Sequence, residues 1–437
     1  MTALLALHQV HKAFPAADRS GPVTILDDIE LEVNEGEVVA LLGRSGSGKS
    51  TLLRLMAGLI APSSGSIQHR GSPLQGVNPD VAIVFQSFAL LPWLTVLDNT
   101  GVGLEAQGVA PDRIRERGLE ALAMVGLEGY AEAYPRELSG GMRQRVGFAR
   151  AFVLNPGLLF MDEPFSALDV LTAENLRQDI DELWAKGNFP AKAIVIVTHN
   201  IEEAVLLSDR VVLLGANPGV IRGIVNNPLP RPRDKQEPAF SALVEELYGY
   251  MTNPERPVAS GTSSPKSELP APRRPLLTAL PSCRPASLTD LVTLLPKQKT
   301  RRLSELAGEL ALSDDDLLPL VEAGTLLGLL QGDGGKLQLS DHGRSLRKAD
   351  ESGQRQLLAQ LMRERVPLVQ TVERLLDRNR RGEVSGAIVL DLMDEHLTTP
   401  QAEQTFRTLV NWLRYANIAI YSQDSDRFQR APQPPMG

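Results

Sequence analysis

Eight residues constrain this chain more than any others: Gly43-Arg-Ser-Gly-Ser-Gly-Lys-Ser50, a full match to G-x-x-x-x-G-K-[ST]. The apolar run Val38–Leu42 precedes them, and the helix-forming run Thr51-Leu-Leu-Arg-Leu-Met-Ala57 follows. Strand, glycine turn and helix in that order predict a phosphate cradle. The glycines Gly43, Gly46 and Gly48 let successive backbone N–H groups turn inward, with Ser45 and Thr51 completing the loop, and the helix N-terminus adds a favourable dipole. Lys49 is placed to reach β- and γ-phosphates, and Ser50 to offer its hydroxyl to Mg²⁺.

The surrounding sequence has the pattern of an α/β layer. Through about residue 250, short β-branched runs alternate with helical stretches and glycine turns. Val38–Leu42, Val81–Phe85, Leu158–Met161, Ala193–Val197 and Val211–Leu214 are predicted strands, several apolar throughout, as strands buried on both faces are. Residues 251–286 change character. Eight of the chain's 31 prolines fall between 254 and 285, interleaved with Ser, Thr and Arg, so a semi-extended linker is expected there. A helical region, 287–430, follows. Leu303–Leu310 has helical spacing, and Ser313 before three aspartates is a helix start. Leu329–Leu339 reads as two short strands about a glycine turn. Helix, turn, helix, hairpin is the order of a winged helix. A weaker copy recurs in Ala387–His396, Thr399–Tyr415 and the strand Ile418–Tyr421.

Three further segments carry chemistry. Leu158-Leu-Phe-Met-Asp-Glu-Pro164 is an apolar strand ending in two acids. Asp162 suits a role in holding Mg²⁺ beside phosphates, and Glu163 is placed to polarise an attacking water. Two acids at a strand end are also what a solvated terminus carries. Ser139, Gly140 and Gly141 in Leu138-Ser-Gly-Gly-Met-Arg-Gln-Arg145 expose N–H groups at a helix start, a second anion-binding element; alone, Ser-Gly-Gly is also an ordinary turn. Val197-Thr-His-Asn200 places a histidine after a strand, where a structural role is common.

Together, Gly43–Ser50, Leu138-Ser-Gly-Gly141, Leu159-Phe-Met-Asp-Glu-Pro164 and Ser166-Ala-Leu-Asp169 resemble an ABC-transporter nucleotide-binding domain in motif order and spacing. The resemblance implies a P-loop ATPase fold, ATP and Mg²⁺ as ligands, and hydrolysis centred on Glu163. It implies that Gln86 senses Mg²⁺ and the lytic water, that His199 contacts the γ-phosphate, and that Phe14 stacks on adenine. Phe14 stands where Tyr is frequent, and Met142 where Gln is commoner. In that family Ser139, Gly140 and Gly141 act across a head-to-tail dimer, and Asp169 lies in the dimer-contact loop. One nucleotide site per chain then requires a second copy or a close relative. About 90 residues separate Ser50 from Ser139, too few for the coiled coil of an ABC-type repair ATPase.

Phe85-Gln-Ser-Phe-Ala-Leu-Leu-Pro-Trp-Leu-Thr-Val96 has an apolar, aromatic-bearing face carrying Pro92 and Trp93. A core tryptophan is one reading; the groove for a permease's coupling helix is the one the resemblance implies. The segment looks like ATPases of the nitrate, sulfonate, taurine and bicarbonate uptake group. Expected partners are therefore transmembrane permease subunits and a periplasmic or lipid-anchored solute-binding protein. The C-terminal arrangement resembles the AAA-associated domain appended to such ATPases, for which a regulatory or protein-interaction role is expected.

Composition narrows the classes. No run approaches the roughly 20 apolar residues of a membrane helix, and no signal peptide is expected, so the chain is placed peripherally on the cytoplasmic face of a membrane. The lone Cys283 fits a reducing compartment. A net charge of -8 argues against nonspecific nucleic-acid binding. The alternative reading is a soluble ABC ATPase with a regulatory, DNA-binding winged helix. Its second helix, Asp314 to Leu327, carries Asp314, Asp315, Asp316 and Glu322 and no Lys or Arg, so phosphates would repel it.

Overall fold

The computed structural model describes residues 3–15, 22–216, 218–253, 258, 279–296, 300–310, 312–333, 335–379, 382–394, 397 and 399–431. These fall into two compact units. The first runs to Leu243 with Val258 added; the second begins at Val244. Most of the proline-rich stretch, and the end of the predicted helix Ala387–His396, lie outside the described residues.

The first unit opens with β1 (Ala3–Pro15), β2 (Pro22–Asn34), β3 (Val38–Gly43), α1 (Lys49–Met56), β4 (Ser64–His69), β5 (Ser72–Pro73) and β6 (Val81–Val84). Next come α2 (Val96–Ala106), α3 (Pro111–Met124), α4 (Gly140–Phe152), β7 (Leu158–Asp162) and α5 (Val170–Ala185). β8 (Ala193–Thr198), α6 (Ile201–Leu207), β9 (Arg210–Leu214) and β10 (Ile221–Asn226) follow, and α7 (Pro238–Thr252) spans the boundary between the units.

Two sheets form. The antiparallel one has the order β2-β1-β4-β5; the other, β10-β9-β3-β8-β7-β6, is parallel from β6 to β9. β3 and β8 are buried along their whole length, which explains their unbroken Val, Ile, Leu and Ala content. Leu52, Leu55 and Met56 of α1 enter the same core as Leu41, Phe160 and Val195. Burying such side chains contributes roughly 1.5–3 kcal/mol each. β3 therefore delivers the glycine loop, β7 the acids and β8 the histidine to the same, carboxyl edge of one sheet, where ligands bind in open α/β folds.

In the second unit, α8 (Pro285–Leu294) and β11 (Arg301–Arg302) precede α9 (Leu303–Leu310) and α10 (Asp314–Leu326). The hairpin β12 (Leu330–Asp333) and β13 (Lys336–Leu339) closes a three-stranded sheet, β11-β13-β12. After α11 (Asp341–Lys348), α12 (Glu351–Arg365) and α13 (Pro367–Arg378) the order recurs. β14 (Glu383–Ser385), α14 (Gly386–Asp394), α15 (Thr399–Tyr415), β15 (Ala419–Ser422) and β16 (Arg427–Arg430) form a second sheet, β14-β16-β15. Ser313 caps α10 by accepting the Asp316 N–H. Phe406, Tyr421 and Phe428 cluster with centroids 4.9–5.5 Å apart, and Trp412 is fully buried.

Candidate active site

Between β3 and α1 the chain must reverse tightly, and the residues it uses leave little choice. Gly46 and Gly48 take φ of 81° and 89°, a region costly for side chains with a Cβ. A Cβ on Gly43 would lie 2.7 Å from Ser47 Oγ and 3.0 Å from the Leu214 carbonyl. Ser45 and Gly46 crest the loop in solvent, while Ser47 is buried. Lys49 is also buried, its Nζ donating to the carbonyls of Gly43 at 2.6 Å and Arg44 at 2.9 Å. That ammonium is thereby held against the loop. Arg44 adds a second cation, lowered to about 10 by burial and by the neighbouring Arg222 charge. The loop is a tight, cationic, glycine-rich turn at a helix N-terminus, suited to a polyphosphate.

Ser50, in the first turn of α1, donates its hydroxyl to Asp162 Oδ1 at 3.2 Å. Burial raises the Asp162 carboxyl above its ordinary value; Ser50 opposes this, and the neighbouring Glu163 charge adds to it. A hydroxyl and a carboxylate oxygen side by side at a phosphate cradle fit Mg²⁺, which takes one or two protein oxygens plus phosphates and waters. Thr51 follows in the same turn, partly buried.

Glu163 sits just beyond the end of β7 with φ 46°, a strained conformation for a residue with a Cβ, and its N–H donates to Val197 O at 2.9 Å. That bond ties it to β8, which delivers His199. His199 Nδ1 lies 3.3 Å from Glu163 Oε1. The histidine contact holds the Glu163 carboxyl below its usual value against the opposing effect of burial, with Lys49 assisting. Glu163 is thus kept ionised and able to accept a proton or orient a water. Gln86 donates from Nε2 to Glu163 Oε2 and to Ser166 Oγ, both at 3.1 Å. The structure therefore brings Gln86 to Glu163; these bonds do not reach the Ser50–Asp162 pair.

The remaining predicted residues lie on other elements. Ser139 caps α4, accepting the Met142 N–H at 3.3 Å. Gly140 faces open space, and a Cβ on Gly141 would meet Thr172 Cγ2 at 2.2 Å. Asp169 caps α5, its carboxyl held low by Thr172 through the side-chain and backbone hydrogen bonds. The Ser139–Gly141 turn and the Asp169 turn therefore abut through Thr172. Phe14 pairs with Val23 near the end of β1, is 40% exposed, and has Lys12 Nζ 4.8 Å from its ring centroid. Trp93 is 70% exposed, so it is not a core residue. Sequence reasoning missed Gln144, Arg177 and Glu203. Gln144 is fully buried and donates to the Pro164 carbonyl at 2.7 Å. Glu203 is the third residue of α6, and Asn200 followed three residues later by a glutamate, a helix-start pattern, was the available signal.

The ABC transporter family profile matches residues 26–166, and that of the C-terminal AAA-associated domain residues 304–422. The chain is 45% identical over 229 residues to an uncharacterized ABC transporter ATP-binding protein of Methanocaldococcus jannaschii, covering 52% of this chain and 85% of that one. Over 259 residues it is 38% identical to a bicarbonate transport ATP-binding protein of Synechocystis, covering 58% and 90%. Over 219 residues it is 43% identical to a taurine import ATP-binding protein of Burkholderia thailandensis, covering 50% and 82%. A glycine cradle, a Ser50–Asp162 pair and a Glu163–His199 contact at one sheet edge agree with these matches. The chain belongs to the family of ABC transporter ATP-binding proteins.

Proposed function

We propose that this chain is the ATP-hydrolysing subunit of an importer for a small oxyanion such as bicarbonate, nitrate, taurine or another sulfonate. The convergence of Gln86, Glu163 and His199 beside the Ser50–Asp162 pair carries the hydrolysis, and similarity to bicarbonate, taurine and nitrate import ATP-binding proteins supports the solute class. The loop Gly43–Ser50 binds the phosphates, and Lys49 neutralises their charge. Ser50 and Asp162 would hold Mg²⁺, which would offset negative charge developing on the phosphates. Glu163 accepts a hydrogen bond from the attacking water, Gln86 fixes the carboxylate from its other oxygen, and His199 orients it from β8. Phe14 offers a face for adenine.

Ser139, Gly140 and Gly141 serve the nucleotide of a second subunit, so hydrolysis belongs to a head-to-tail pair. Asp169 lies at that contact. Binding of ATP closes the pair and hydrolysis reopens it, biasing a separate permease between two states. Among the described residues no helix is long and apolar enough to cross a membrane. Attachment to the cytoplasmic face is therefore assigned to the permease, with the exposed Trp93 on the docking surface. A periplasmic or lipid-anchored solute-binding protein completes the complex.

The winged-helix repeats in the second unit do not favour DNA binding. Asp314, at the start of α10, is buried and hydrogen-bonded to the Tyr248 hydroxyl, so the end of the helix that would enter a groove is already packed. Residues 285–437 carry 19 Lys and Arg against 21 Asp and Glu, which leaves no cationic footprint. The test is to purify the tagged full chain from membranes and reconstitute what comes with it. A polytopic membrane protein should co-purify, and bicarbonate, nitrate or taurine should stimulate hydrolysis with its binding protein present. Loss of neither partner nor stimulation on Trp93→Ala would remove Trp93 from the docking surface. A strong, sequence-selective DNA shift with no membrane partner would overturn the transport reading.

A further inference from the structure

We propose that Arg177 is a positioning residue for hydrolysis: its guanidinium, set between the Phe165 ring and the Glu203 carboxylate, fixes His199 against Glu163. This rests on the assignment of Glu163 and His199 to hydrolysis. Arg177 projects from the second turn of α5, with Cζ 5.3 Å from the centroid of Phe165. Its Nε lies 3.4 Å from Glu203 Oε2, and the two side chains are 16% and 5% exposed. Phe165 follows Glu163 by two residues and is buried. One guanidinium therefore bridges the segment that carries the acid and the segment that carries the histidine.

Glu203 transmits the constraint. It sits in the first turn of α6, where its N–H donates to Asn200 Oδ1 at 2.8 Å. Asn200 follows His199 directly, and its own N–H donates to Thr198 Oγ1 at 3.0 Å, across the histidine. Burial pushes the Glu203 carboxyl up; the Arg177 charge is the largest influence opposing this and does not cancel it. Glu203, the partner of Arg177, is thus tied to Asn200, the residue that follows His199. Glu174 Oε2 holds the far side of the guanidinium at 2.9 Å.

The same point receives the other two nucleotide-facing turns. Phe165 stacks on Phe148 of α4 at 6.4 Å and 27°, and Gln144 of α4 holds the Pro164 carbonyl. Ser139 caps α4 and Asp169 caps α5. A displacement of either helix bears first on Phe165 and Arg177, then on the Glu163–His199 spacing. A planar guanidinium can stack on a ring and pair with a carboxylate at once, which an ammonium cannot.

Hydrolysis and ATP affinity are measured on the full chain with Mg-ATP for Arg177→Met, Arg177→Lys, Glu203→Gln, His199→Ala and the double variant Arg177→Met/His199→Ala. Arg177→Met and Glu203→Gln should each lower kcat about ten- to a hundredfold, the scale of a misplaced catalytic group, with KM and ATP affinity within about twofold. Arg177→Lys should recover little of the loss. The double variant should be no slower than His199→Ala alone, because Arg177 acts through that histidine. Multiplying losses in the double variant, or kcat within about twofold of the parent for Glu203→Gln, would overturn the proposal. Should Arg177→Met fail to fold, the near-isosteric Glu203→Gln decides. If His199→Ala itself hydrolyses normally, the site assignment fails, and the Arg177 role fails with it; a slow His199→Ala beside a normal Arg177→Met sinks the Arg177 role alone.

Discussion

Glu163 and His199 meet at 3.3 Å although 36 residues separate them, because β7 and β8 are parallel neighbours and both end at the same edge. The register pairs Asp162 with Val197, so Glu163 leaves β7 beside the Thr198 end of β8, one residue short of His199. Glu163 gains the hydrogen bond to Val197 that holds it in a strained conformation. This relationship organises the site more than any single residue does.

Glu163→Gln removes the negative charge while keeping the shape and the Gln86 neighbour. Hydrolysis should fall about a hundred- to ten-thousandfold, the usual contribution of a positioned general base. ATP affinity should hold, and a nucleotide-bound pair should accumulate. Phosphate-release kinetics with size-exclusion chromatography in ATP checks both; unchanged turnover would take Glu163 out of its role.

Gly141→Ala places a methyl 2.2 Å from Thr172 Cγ2, and a β-branched side chain has little freedom to move aside. The variant should lose about 1–3 kcal/mol of stability, the range for overpacking, and tenfold or more of its turnover. Thr172→Ser deletes the offending methyl and keeps the hydroxyl toward Asp169. The double variant should regain most of the stability in thermal melts; no recovery would mean the Gly141 requirement lies elsewhere.

Asp80 clamps the start of β7: Oδ1 accepts the Gly157 N–H at 2.8 Å, and Oδ2 meets Arg70 at 2.7 Å and His69 at 3.1 Å. Burial is the largest single influence and pushes its carboxyl up. The hydrogen bonds from Arg70, Gly157 and His69, with the Arg70 charge, outweigh it and leave the carboxyl low. The folded value lies below the unfolded one, so the stabilisation is fully present above about pH 4 and disappears as pH falls further. Asp80→Asn should cost about 1–2 kcal/mol at pH 7. The gap between the melting temperatures of the two proteins should shrink as pH falls below about 4; a gap independent of pH would refute the ionic origin.

Trp412 is fully buried in the second unit and donates from Nε1 to the Cys283 carbonyl at 3.0 Å. Trp412→Ala should cost about 3–5 kcal/mol, the range for large aromatic truncations. Chemical denaturation should show an earlier C-terminal transition, with ATP affinity within about twofold of the parent. A single unshifted transition would place the anchor of that unit elsewhere.

Much of this molecule is legible in the sequence because local patterns carry it. The strand–loop–helix at Val38–Met56 shows in an apolar run, positive-φ glycines and a helix-forming run, all within 19 residues. Ser313 before three aspartates marks α10, and Ser139 and Asp169 mark α4 and α5, because caps act within one turn. Gln86 was harder. Its identity is plain, but its bonds to Glu163 and Ser166 cross 77 and 80 residues.

The sequence by itself determined which residues can bind phosphate, hold Mg²⁺ and accept a proton, because those capacities belong to side-chain chemistry and short-range backbone conformation. Only the tertiary structure decided which of them meet. Strand order places β3 between β8 and β9 and β7 beside β8, and no local pattern encodes that order. The Arg177–Glu203 pair and the Phe165–Phe148 stack follow from how α4, α5 and α6 pack on that sheet. Hydrophobic burial, summed over the whole core, fixes that packing, so the Glu163–His199 contact is set by residues that never touch it.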